Sequence, residues 1–130
     1  MSSEFADIKI VSLDDAASGP SGDRALFRIV LKLSQRTPTA WSEYFNEAWG
    51  HHIYMMKRKA TIFGDRLEII CMPDELEKDH LPELKKVMSE TNEAYKKYAS
   101  EQSRINQAEA ARVQRQKEEL SDLKRRLKFD

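Results

Sequence analysis

The sequence predicts an α+β fold: a two-layer sandwich in which an antiparallel four-stranded sheet, built in the order β-β-α-β-β-α, carries two helices on one face. Three observations predict it. Four short segments alternate apolar and polar side chains with the two-residue period of a strand, and one segment between them repeats apolar residues at helical spacing. The last third of the chain contains no glycine and, after Pro82, no proline.

The first strand is read over residues 7–13, with Ile8 and Ile10 on one face and Lys9 and Val11 on the other. Residues 14–24 combine glycine and proline with small polar side chains, which predicts a long flexible loop. The second strand, 26–33, has the clearest alternation: Phe27, Ile29, Leu31 and Leu33 against Leu26, Arg28, Val30 and Lys32. Thr37 followed by Pro38 is a helix-start signal, with threonine as N-cap and proline in the first turn. Trp41, Tyr44, Phe45, Ala48 and Trp49 then draw one apolar stripe, and Gly50 offers a stop.

Residues 53–63 and 67–71 flank Gly64 and Asp65, which predicts a hairpin facing inward through Ala60, Ile62, Leu67, Ile69 and Cys71. The final helix is expected from Leu81, with Pro82 in its first turn, to Phe129. Its apolar spacing is heptad-like and, after a four-residue stutter, resumes with Val113, Leu120, Leu123 and Leu127. Gly22-Asp23-Arg24 and Gly64-Asp65-Arg66 form a short internal echo, each ahead of a strand and then a helix. The expected organisation is one domain over 1–99 and a charged helical extension over 100–130.

Composition narrows the function classes. The 22 basic and 22 acidic side chains cancel, so no overall field draws the chain to nucleic acid or to an anionic membrane. Cys71 is the only cysteine, which excludes an intramolecular disulfide and favours a reducing, cytoplasmic address. The opening residues lack a basic and apolar signal, and no apolar run approaches the ~18 residues of a membrane span.

Chemistry-bearing motifs are sparse. Cys71 with His51, His52 or His80 is the one nucleophile and base combination to consider, but an inward strand position reads as core. Adjacent His51 and His52 diverge on any regular element and are poorly spaced for one metal, and the four glycines match no phosphate-binding pattern. No cofactor or catalytic residue is therefore assigned. The aromatic stripe reads as core packing, with a ligand site between it and the sheet as the enzymatic alternative.

Two surfaces remain. Strand parity places Lys9, Arg28, Lys32, Lys57 and Lys59 on the sheet face away from the helices, a basic patch that lacks the aromatics of a nucleic-acid platform. The same face carries Val11, Val30 and Ile70, aliphatic residues that want cover. Residues 100–130 hold 14 charges and few apolar residues, so a helix there would be marginal alone and should pair through Val113, Leu120, Leu123 and Leu127. The sequence thus points to a non-enzymatic interaction module, a homodimer or a binder of a protein partner, with no membrane role and little support for nucleic acid.

Overall fold

Period-two alternation builds the sheet, and its register shows why. In the computed structural model, which describes residues 5–22 and 25–129, the elements run β1 Ile10–Leu13, β2 Gly19–Pro20, β3 Phe27–Leu33, α1 Thr39–His51, β4 Ala60–Phe63, β5 Arg66–Cys71, α2 Pro73–Glu75, a π-helical turn Leu76–His80 and α3 Leu81–Arg126. The sheet is antiparallel in the order β1-β3-β5-β4, and β2 pairs with β3 on the same side as β1. Ile29 faces Ile69, Leu31 faces Leu67, and Ala60 and Ile62 face Ile69 and Leu67 in turn, so β3, β4 and β5 turn one apolar row to the same side.

Against that row pack Trp41, Phe45 and Trp49 of α1 together with Leu84, Val87 and Met88 of α3. The α+β sandwich with helices on one face is thus the fold that forms. Gly64 adopts the positive φ of 59° that its hairpin turn needs, and its carbonyl accepts from both the Thr37 N–H (2.9 Å) and the Thr37 hydroxyl (2.7 Å).

Several local expectations are corrected. Thr37 does not cap α1, because its hydroxyl is committed to the hairpin turn and to Ser42 (2.6 Å); Pro38, extended at ψ 151°, holds the cap position. Gly50 does not end the helix, which runs to His51. The last carbonyls are met by the Lys57 ammonium, bonded to Trp49 O and Gly50 O, instead of by a left-handed glycine. The last helical stretch begins earlier than Leu81: Pro73 opens α2, and the Glu75 carboxylate accepts the Met72 N–H at 3.2 Å, closing the first turn. The wider π turn comes immediately before Pro82, where a missing N–H would break an α ladder, and Leu81 N–H reaches back to Leu76 O.

The segment expected to be a flexible loop is stitched to the sheet. Asp14 N–H donates to Val30 O (2.8 Å), Val30 N–H donates to Ser18 Oγ (2.9 Å), and Gly19–Pro20 resume strand pairing at Arg28 and Phe27. In effect β1 and β2 are one edge strand interrupted by a turn. Asp23 and Arg24, and with them half of the internal echo, lie outside the described residues.

The chain divides into two units, Met1–Lys96 and Lys97–Asp130. In the second, residues 97–126 are helical and ion-paired along their length: Glu101 with Arg104, Glu109 with Arg112, Asp122 with Arg125. Among the described residues no helix is long and apolar enough to cross a membrane.

One polar side chain ties the first unit together. Asn92 is buried on α3; its Oδ1 accepts from Ile8 N–H (3.0 Å) and Trp41 Nε1–H (2.9 Å), and its Nδ2 donates to Ile8 O (3.0 Å). Removing it strands three buried polar groups, each costing roughly 1–3 kcal/mol. Urea unfolding is expected to find Asn92→Ala destabilised by about 3 kcal/mol, while Glu93→Ala, an exposed neighbour, stays within about 0.5 kcal/mol of the parent.

Candidate functional site

The helical seam is the first surface to place. Val113, Leu120 and Leu123 lie on α3, and Leu127 continues its ladder through an N–H bond to Leu123 O (3.0 Å). Spacings of seven, three and four residues put all four on one stripe of the helix. Every one of them is exposed, and residues 100–129 contain no buried side chain. Ile105 is exposed as well, one stutter upstream.

The open sheet face differs from its sequence reading. Val30 is only 2% exposed, although it lies outside the main core cluster. The turn over residues 14–18 covers this face: Arg28 bonds Ala17 O (3.1 Å) and Glu68 (3.0 Å), while Arg66 bonds Asp14 (3.2 Å). Val30 is therefore screened by its own chain and, contrary to the sequence expectation, offers a partner almost no surface. Val11 is also displaced. A bulge between Ile10 and Ser12 sets Ser12, not Val11, opposite Lys32, and leaves Val11 as the extra residue, 60% exposed at the sheet edge. Ile70 stays on the open face opposite Arg28, half-buried.

The basic patch does not assemble as strand parity implied. Arg28 is paired with Glu68, and Lys57 lies outside β4, capping α1 with its ammonium 5.5 Å from the Trp49 ring centroid. Lys32 is half-buried, and Lys9 and Lys59 are exposed at β1 and β4, the opposite edges of the sheet.

Residues 53–59, expected as strand, form an irregular segment instead. Met56 takes a positive φ of 62°, rare for a side chain of its size. The segment is pinned where its polar groups point inward: Trp49 Nε1–H donates to Arg58 O (3.1 Å), and Tyr54 Oη bonds His80 Nδ1 (2.7 Å). Ile53 and Met55 point out, 90% and 87% exposed. A run of Met-Met-Lys-Arg-Lys without alternation was the available signal.

That pinning exposes a cluster the sequence did not suggest. Arg58 grips Glu75 with two parallel bonds of 3.1 Å each, and fully buried His80 bonds Glu75 Oε1 through Nε2 at 3.2 Å. The Arg58 guanidinium, helped by His80 and the Met72 N–H and opposed by burial, holds the Glu75 carboxyl at about 2. The two ring nitrogens of His80 thus bridge the Glu75 carboxylate, on the Nε2 side, and the Tyr54 hydroxyl, on the Nδ1 side. Burial pushes Tyr54 up to about 12 and the Cys71 thiol up to about 11. Both are thus protonated at neutral pH, and neither is an activated nucleophile. The arrangement clasps the 53–59 segment to the start of the last helical stretch. His52 adds a second bond to that stretch, to Glu83 at 3.0 Å.

No protein-family model, curated protein or solved structure matches this chain.

Because Glu75 is more acidic folded than unfolded, its stabilisation is complete above its ordinary value near 4.5 and is lost as pH falls toward 2. Thermal unfolding of Glu75→Gln is expected to fall below the parent at pH 7, with the difference shrinking between pH 4.5 and 2; a gap that is constant with pH contradicts the pairing.

Proposed function

We propose that the protein is a non-enzymatic interaction module that self-associates by pairing its C-terminal helix with that of a second copy. The observation that carries this reading is the stripe of Val113, Leu120, Leu123 and Leu127 on a helical stretch with no buried side chain of its own. Isolated helices owe little to propensity in water, and i,i+3 ion pairs such as Glu109–Arg112 add only about 0.2–0.5 kcal/mol each. Burying four aliphatic side chains against four more contributes far more, at roughly 1.5–3 kcal/mol for each fully buried chain. A second copy supplies the same stripe in matching length, which is the simplest closed arrangement.

The alternatives have less support. A ligand site between the aromatic helix and the sheet has to share space with Trp41 and Phe45, which are fully buried in the core. Nucleic-acid binding through the open face has to rely on cations that are dispersed or already paired.

Light scattering on the full chain is expected to return a dimer mass that falls to the monomer in Leu120→Glu/Leu123→Glu, with the unfolding of the 1–96 unit unchanged. A monomeric parent at every concentration contradicts the reading.

A further inference from the structure

The outer side of edge strand β1 borders a groove of about 390 Å³, walled by Asp7, Lys9 and Ile10 on one side and by Lys85, Met88 and Ser89 of α3 on the other. Backbone bonds define what its rim can do. Lys9 is bonded inward, its N–H to Ser34 Oγ (3.0 Å) and its carbonyl to Ser34 N–H (2.8 Å). Leu33, the partner of Ile10, sends its N–H the other way, to Asp65 O (2.9 Å). Ile10 and Leu33 therefore form a non-hydrogen-bonded pair, and by antiparallel alternation the Ile10 N–H and C=O face the groove. Two residues earlier Ile8 faces the same way, and there the Asn92 amide acts as a missing strand, accepting the N–H and donating to the C=O.

Charge selects the occupant. Asp7 is neutralised by Lys96 at 2.7 Å, whereas Lys9 and Lys85 are exposed on opposite walls and, among the described residues, join no ion pair. We infer that this groove binds an extended peptide segment bearing an acidic side chain, which adds a backbone pair to β1 at Ile10 and sets its carboxylate between Lys9 and Lys85. An apolar neighbour of that acidic residue lies over Met88. Strand addition supplies the backbone bonds, and the two ammonium groups supply the selectivity. The bulge after Ile10 stops the pairing there, so the interaction is short and weak, suited to a transient contact. The surface lies wholly within the 1–96 unit and is separate from the helical seam.

The test is a titration of the ¹⁵N-labelled full chain with two capped pentapeptides, acetyl-Thr-Val-Glu-Val-Thr-amide and the same peptide with Lys for Glu. The glutamate peptide is expected to shift the Ile10, Met88 and Ser89 amides, and the lysine peptide to leave them in place. In Lys9→Glu/Lys85→Glu the affinity for the glutamate peptide should fall about tenfold or more. Ser89→Trp, at an exposed helix position, should block binding by filling the groove. Absence of shifts in the parent, or equal affinity for the two peptides, overturns the inference.

Discussion

The first unit depends on a side-chain amide standing in for a strand. Asn92, close to the end of that unit's sequence, completes the backbone of Ile8 near its beginning and holds the Trp41 indole in the same grip. A buried amide is costly unless every group finds a partner, and here the two Oδ1 bonds and the Nδ2 bond meet that condition. The consequence is specificity: α3 can meet the chain's edge in only one rotation and one height. Leu84, Val87 and Met88, on the helical turns just before Asn92, are thereby aimed at the sheet, and Trp41 is fixed between α1 and α3.

A second constraint is how the sheet's other face is managed. An antiparallel sheet with helices on one side leaves aliphatic residues exposed on the other unless something covers them. The Asp14–Ser18 turn does so, anchored by Arg28 and Arg66, and the covered residue is Val30. The edges are managed too. Asn46 accepts the Ile62 N–H of edge strand β4 at 3.1 Å, and Asn92 occupies part of the edge before β1. Parts of both backbone edges of the sheet are thus closed from within the unit, although Val11, Ile53 and Met55 remain exposed. The exposed stripe of the second unit and the open edge beside Ile10 are the surfaces on which the proposed interactions rest.

The sequence was most legible where period and burial agree. Ile29, Leu31, Leu67, Ile69 and Cys71 alternate strictly because one face of each strand is buried, and Trp41, Phe45 and Trp49 recur at helical spacing for the same reason. What resisted reading is polar and long-range. The Asn92–Ile8 bonds span 84 residues, and Arg58, Glu75 and His80 meet only once the hairpin and the last helical stretch are in place, so neither leaves a local pattern. The β1 bulge sets Ser12 opposite Lys32 and leaves Val11 unpaired, since one extra residue shifts a two-residue period by half. The segment over 14–24 reads as a flexible loop because its composition carries no apolar periodicity; in its described part, residues 14–22, hydrogen bonds to Val30 and Arg28 tie the chain to the sheet instead. The helical stripe, by contrast, was visible in full, because exposed heptad spacing is a local signal.

Two kinds of helical residue are therefore joined in one element: those near Asn92, packed into a core, and those beyond 100, whose apolar stripe is exposed and which the proposed pairing would cover. Hydrogen exchange on the full chain over a concentration series separates the two directly. The account predicts that amides of 84–92 are protected at every concentration, whereas those of 113–127 slow as concentration rises. Exchange at 113–127 that is indifferent to concentration would contradict it.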